Sequence, residues 1–167
     1  MTIEEFNKLD AAIAKAELIK CCGSDRWAGQ LAKKRPFQSV EELIETSDEI
    51  WRFMAKPDFL EAFSHHPKIG DMASLQKKFA STQAWATTEQ SGVQKANDTT
   101  LQALSAGNAT YEKRYGYIFI VCATGKSAAE MVALLNDRLE NDSERELQTA
   151  ANEQNKITHL RLKKLFS

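Results

Sequence analysis

Glycine and proline punctuate this chain so rarely that most of it has no local reason to leave a helix. Seven Gly and three Pro are spread over 167 residues, and the runs between them are rich in Ala, Leu, Glu, Lys and Gln, which lose least on entering a helix. Thr2-x-x-Glu5 and Ser39-x-x-Glu42 both have capping-box form, in which a hydroxyl and a carboxylate satisfy the first free amides reciprocally, so helices are expected to open at both. The first is expected to run to Cys22 and stop at Gly23. A second should open at Ser24 and Asp25 and end near Arg35-Pro36, because the residue before proline is pushed out of helical geometry. A third is expected over residues 40–55.

Pro57 suits the first turn of a helix over residues 58–64, which the His66-Pro67 step cuts off. A short helix over 71–79 is expected next. Over residues 88–105, Val93, Asn97, Leu101 and Leu104 recur at three- and four-residue spacing on one stripe of a longer helix, with Gly107-Asn108 expected to end it. Tyr117 to Cys122 (YIFIVC) is the one strand-like run, β-branched and aromatic, and no nearby segment offers it a pairing partner. It is therefore expected to be a buried extended connector. Ser127 opens a helix bearing Met131, Leu134, Leu135 and Leu139, and a final helix over 143–165 carries Leu147, Gln154 and Ile157. The expected fold is all-α: a single compact domain over residues 1–167, of about eight helices, with one buried extended segment near 117–122.

A hydrophobic content of 43% over this length is enough for one real core and too little chain for two ordinary domains. Cys21, Cys22 and Cys122 form an odd set with no CxxC and no regular spacing, which argues against a disulfide framework or a structural zinc site. A reducing compartment fits them, as buried thiols with no evident partner base. The formal charge of −1, from 22 basic and 23 acidic residues, supplies no electrostatic reason to bind nucleic acid or an anionic membrane. The amino end, MTIEEFNKLD, is acidic and helical, so no secretory signal is expected, and no stretch approaches membrane-spanning length. The expected location is cytoplasmic.

His66-Pro67-x-Ile69-Gly70 is the most unusual local feature. Proline keeps its neighbour out of the helical region and Gly70 permits a positive φ, so a histidine projects from a rigid turn. Such an imidazole could serve as acid or base near neutral pH, or simply end a helix as a partner for its last carbonyls. His65 should point elsewhere and Asp71 adds little, so a metal site is not expected. Thr87-Thr88-Glu89-Gln90-Ser91-Gly92 also reads two ways: a capped helix start whose acid complements the dipole, or one wall of a polar pocket built from Glu89, Gln90 and free amides. Arg161 lies seven residues after Gln154 and four after Ile157, on a face it shares with core positions. From there it either reaches a pocket or lays its stem over the core with its charge in water. Lys33-Lys34-Arg35 and Lys163-Lys164 read as solvated faces.

Taken together, HHPKIGD, TTEQSGV, YEKRYGYIFIVCATGKS and LLNDRLENDSERELQTAANEQNKITHLRL are more specific than any one of them. The chain resembles, over nearly its whole length, the 2-oxo-4-hydroxy-4-carboxy-5-ureidoimidazoline (OHCU) decarboxylases of uric acid breakdown. The resemblance implies an all-helical domain, commonly a homodimer, that needs neither metal nor organic cofactor and converts a small ureidoimidazoline to (S)-allantoin. It implies His66 as the catalytic histidine with Pro67 as its rigid neighbour, and Glu89 and Gln90 as a polar pair at the substrate. Phe119 and Ile120 become the aromatic and backbone-amide part of the pocket, and Arg161 an arginine aimed at the substrate. One departure is Ala86, where the family often has serine three residues before the glutamate; a hydroxyl contact is missing there or comes from Thr87 or Thr88. Two other classes remain open at this level. One is a helical interaction module in which His66 only stops a helix, and the other a hydrolase or lyase using the same His/Glu pair on a related ureide.

Overall fold

The structure, a computed structural model, describes residues 1–67, 73, 75–77 and 90–167, the side chains of 90–97 excepted. Among the described residues eight helices are bounded: α1 (Ile3–Lys8), α2 (Ala11–Cys21), α3 (Asp25–Lys33), α4 (Val40–Arg52), α5 (Lys56–Ser64), α6 (Gln90–Tyr115), α7 (Ala128–Leu139) and α8 (Ser143–Leu165). No strand occurs among them, so the fold is all-α as expected. Of the helix expected over 71–79, Ala73 and residues 75–77 are helical and Leu75 is fully buried; the remainder lies outside the described residues. The chain divides into two compact units, one of Met1–His66, Ile120–Cys122 and Leu147–Ser167, the other of Pro67–Phe119 and Ala123–Glu146.

The first unit opens with the capping box expected at Thr2: its hydroxyl accepts from the Glu5 amide at 3.2 Å while the Glu5 carboxylate takes the Thr2 amide at 2.8 Å. The single helix expected over this region is broken in two. Leu9 leaves helical geometry, and Asp10 caps α2 by accepting from the Ala12 amide at 2.9 Å. Aspartate competes well for such local bonds, and a helix interior would have wasted it. Arg35 makes the break cheap, donating through Nη1 to the Phe6 and Leu9 carbonyls at 2.9 and 2.7 Å and through Nε to Ala32 at 2.9 Å. At two helix ends the Leu9 and Ala32 carbonyls thereby gain a donor, and the Phe6 carbonyl gains one beside the Leu9 amide at 3.2 Å.

Ser24 caps α3 through the Trp27 amide at 3.3 Å, as the spacing predicts. At α4 the Ser39 hydroxyl takes the Glu42 amide at 3.1 Å, but the Glu42 carboxylate reaches the Gln38 amide at 2.5 Å rather than closing the reciprocal box on Ser39. The helix ends at Arg52, three residues before the expected end, and α5 begins at Lys56 with Pro57 in its first turn and the Asp58 carboxylate on the Ala55 amide at 2.8 Å. The core of this unit is formed by Phe6, Leu18, Trp27, Leu31, Leu43, Phe63 and Leu162. Trp51 packs on Phe59 at 4.8 Å between ring centres and donates its indole N–H to the Ala151 carbonyl of α8 at 3.0 Å.

Cys21 and Cys22 belong to this core. Burial pushes both thiols up to about 11, against smaller opposing effects that include the Arg161 charge. Residues 120–122 join the same unit. Ile120 is buried, and the Cys122 amide donates to the Glu153 carboxylate of α8 at 2.8 Å. A strand-like sequence has here found a side chain in place of a partner strand for one of its amides.

In the second unit α6 runs through Gly107-Asn108, where the sequence suggested a stop, and ends at Tyr115 instead. A Cβ at Gly107 would overlap Leu135 Cδ2 of α7, so the glycine is an approach point between α6 and α7. Packing of a buried leucine there offsets the ~1 kcal/mol that a mid-helix glycine costs. Gly116, at φ +84°, terminates the helix, its amide on the Glu112 carbonyl at 2.8 Å. Below it lies a buried polar cluster around Glu146. Its carboxylate accepts from the Tyr111 hydroxyl at 2.5 Å, from Arg138 at 2.6 and 2.7 Å, and from Asn141 Nδ2 at 2.9 Å. Burial, then the bond to Glu146, holds the Tyr111 phenol far above its ordinary value, so it remains a donor. The Arg138 guanidinium also lies over the Phe119 ring at 4.5 Å, and Phe119 meets Tyr111 edge-on at 5.2 Å.

Two outcomes follow. Glu146→Ala removes the carboxylate that pairs with the buried Arg138 charge and is expected to lower unfolding stability by about 3–5 kcal/mol in urea titration, whereas a loss below about 1 kcal/mol would mean the cluster is solvated. At pH 8 Cys21 and Cys22, with thiols near 11, carry roughly one thiolate in a thousand. Iodoacetamide is expected to leave both unlabelled in the native protein and to label both after unfolding, read by mass spectrometry of peptides.

Candidate active site

His66 follows the last turn of α5, whose C-cap is His65. The His66 amide closes that turn on the Phe63 carbonyl at 3.1 Å, so its backbone does what a helix stop requires. Its side chain has a different partner. The half-buried ring meets, through Nε2, the side-chain oxygen of Gln154 on α8 at 2.5 Å. The adjacent histidine diverges as expected: His65 lies against Gly23, where any Cβ would overlap its ring.

Gln154 is fully buried and sits mid-helix. Its Nε2 donates to the Thr158 hydroxyl at 3.2 Å, and that hydroxyl donates to the Gln154 carbonyl one turn back at 3.0 Å. A hydroxyl has one proton. The Thr158 hydroxyl also has the Cys22 thiol beside it; with its proton turned to the backbone carbonyl or to that sulfur and away from Gln154, Thr158 acts as acceptor toward Gln154, which turns the amide oxygen to His66 and assigns a proton to the histidine Nε2. In the neutral ring the lone pair then resides on Nδ1. Arg161 lies one turn beyond Thr158 on the same helix and is half-buried, and its charge is felt at Cys21 and Cys22. Gln154, Thr158 and Arg161, spaced by four and three residues, share one face of α8.

The other residues singled out in the sequence fall as follows. Pro67 is exposed, Phe119 is half-buried in the aromatic cluster of the second unit, and Ile120 is buried in the first. Gln90 opens α6, its side chain outside the described residues; Glu89 and Ala86 also lie outside them. The structure therefore brings His66 to α8 and leaves the His66–Glu89 pairing unaddressed. The sequence did not single out Gln154 as the partner of His66, because its register reads as a core stripe. The available signal was an amide on that stripe followed by Thr at four residues and Arg at seven.

Among the described residues no group of three or more His, Cys, Asp and Glu side chains is placed to hold a metal. An open cleft of about 760 Å³ between residues 7 and 36 is lined by Asn7, Lys15, Asp25, Arg26, Lys33 and Arg35 among others and includes none of the expected site residues. Lys15 and Asp25 pair within it at 2.6 Å.

Against known proteins, residues 7–163 match the OHCU decarboxylase family. The uric acid degradation bifunctional protein TTL of Arabidopsis thaliana is 42% identical over 164 residues, covering 93% of this chain and 48% of that protein; the chain thus spans about half the length of this relative. The 2-oxo-4-hydroxy-4-carboxy-5-ureidoimidazoline decarboxylase of Haloferax volcanii is 25% identical over 168 residues, covering 100% of this chain and 97% of that protein. A crystal structure of an OHCU decarboxylase in the presence of (S)-allantoin superposes with a TM-score of 0.70 at 42% identity, covering 90% of this chain and 96% of that one. An (S)-allantoin synthase structure at 18% identity and TM-score 0.73 shares the fold. A family match through nearly the whole chain, joined to a solved relative at 42% identity, shows that this protein belongs to the OHCU decarboxylase family.

Proposed function

We propose that this chain is a cofactor-independent carboxy-lyase that converts OHCU to (S)-allantoin in uric acid degradation, with His66 as its acid/base residue. The observation that carries the reading is the His66 ring held by buried Gln154 on the helix that also bears Arg161, in a chain of this family. A single family domain over residues 1–167 is part of it, supported by a match that runs through both compact units.

The chemistry asks little of the protein beyond placement. In OHCU the leaving carboxylate sits on C4, beside the C5=N imine. When the C4–carboxylate bond breaks, its electron pair flows into the C4–C5 bond, the imine nitrogen takes a proton, and CO2 departs. The substrate is its own electron sink, so no cofactor is called for. What remains is to orient and desolvate the substrate and to deliver one proton to one face of C5 in the resulting enaminol while the C4 hydroxyl gives up its proton and becomes the C4 carbonyl, so that one proton is taken up overall. Positioned proton transfer is worth about 10²- to 10⁴-fold, and an imidazole is suited to it near neutral pH.

In this scheme Glu89 orients His66 or holds the C4 hydroxyl, while Gln90 and the amides near Ile120 bind the ureido and ring carbonyl groups. Phe119 supplies an aromatic wall, Pro67 stiffens the turn behind His66, and Arg161 anchors the carboxylate or ureido end. Ala86 removes one hydroxyl from the set, leaving that contact to Thr87 or Thr88. The reading extends to a homodimer in the cytoplasm. The cysteines are free thiols, two of them buried, which suits a reducing compartment, and no helix among the described residues is long and apolar enough to cross a membrane.

The test uses freshly generated OHCU and follows CO2 release together with circular dichroism of the product. The protein is expected to yield one allantoin enantiomer faster than the racemising background, and His66→Asn to lose that selectivity by about 10²-fold or more while keeping its helical spectrum. Near-normal turnover by His66→Asn would remove the assignment. Ring-opened product without CO2 would indicate a hydrolase, and an unchanged background rate a binding module.

A further inference from the structure

We infer that Gln154 is a positioning residue for the reaction, and that Thr158 behind it sets which face of the amide His66 meets; this rests on the acid/base role proposed for His66. An amide buried on a core stripe is costly unless its bonds are made, and leucine would fill the same register without that cost. Gln154 is nevertheless fully buried, and both ends of its amide are engaged, Oε1 by His66 and Nε2 by Thr158. The direction of the whole chain follows from the Thr158 proton being turned to the Gln154 carbonyl or to the Cys22 sulfur, away from the Gln154 side chain.

The consequence at His66 is specific. A flipped Gln154 would set its NH2 against the histidine N–H, and the other neutral tautomer would set a nitrogen lone pair against Oε1. Either clashes electrostatically, so one tautomer and one ring plane are selected. The turn carrying His66 is a chain connection, whereas Gln154 and Thr158 stand inside a helix that continues to Leu165. The ring direction is therefore referred to a rigid element, which is how a proton donor is held within the tolerance that one-faced protonation requires. Arg161 extends the same face one turn further, so the acid/base group and the proposed substrate anchor are both referred to α8.

Gln154→Met keeps the length and removes both hydrogen bonds. Imidazole ¹⁵N and ¹H NMR of the wild-type protein is expected to show a protonated Nε2 whose downfield proton exchanges slowly with water. Gln154→Met should lose that resonance, with kcat on OHCU falling about 10- to 100-fold and KM changing less than about threefold. Gln154→Glu retains an acceptor oxygen, so the resonance should return and kcat should recover by several-fold over Gln154→Met. Thr158→Val, nearly isosteric, frees the amide to flip and should broaden the resonance with a smaller loss of kcat; it carries the test if Gln154→Met does not fold. Wild-type turnover within about twofold in a folded Gln154→Met protein that has lost the resonance would overturn the inference, as would an unprotonated Nε2 in the wild type. Neither result touches the role of His66, which His66→Asn tests separately.

Discussion

A helix that buries a glutamate, a glutamine and a threonine must find a partner for each, and α8 does so with Glu146, Gln154 and Thr158. Desolvating such groups costs several kcal/mol when they are unpaired, so each dictates a specific neighbour. Glu146 collects Tyr111, Arg138 and Asn141. Gln154 collects His66, and Thr158 directs Gln154. Apolar packing alone tolerates a shifted or rotated helix far better than a set of directional bonds does. The register of α8 is thereby tied to the chemistry of the chain: moving it by one residue would strand a carboxylate and release the histidine.

The terminal signals of the helices were legible in the residues themselves. Thr2, Ser24, Ser39 and Ser127 act locally, each accepting from the amide three positions on, and Pro57 acts through its fixed φ in the first turn of α5; each stands where its spacing places it. Where distant residues decide, local reasoning failed. Asp10 breaks a helix that looked continuous because Arg35, far along the chain, satisfies the carbonyls the break exposes. Gly107 looked like a stop because nothing local reveals Leu135 pressing on it. The YIFIVC run resembled a strand, yet the Cys122 amide is served by Glu153, a partner visible only after folding.

The candidate site divides along the same line. A histidine on a rigid turn before proline can be read from HHPKIG, and its ring does leave the helix end for another element. Gln154 carries a weaker signal, an amide on a core stripe with Thr158 and Arg161 following on the same face, and its meaning depends on the histidine opposite it. The pairing of His66 with Glu89 rests on family resemblance, whereas the pairing with Gln154 rests on geometry. The two are compatible. In the proposed reaction one concerns what the imidazole does with the substrate, the other how it is aimed.

The central claim is that His66 stands where the product is formed. The most direct measurement is an NMR titration of ¹⁵N-histidine-labelled protein with (S)-allantoin and, separately, with (R)-allantoin. The chain has three histidines, and His159, paired with Asp48 at 2.5 Å, serves as an internal control. The account predicts saturable shifts at the His66 imidazole nitrogens with the (S) enantiomer, weaker ones with (R), and none at His159. Binding of (S)-allantoin that leaves the His66 nitrogens unmoved would contradict it.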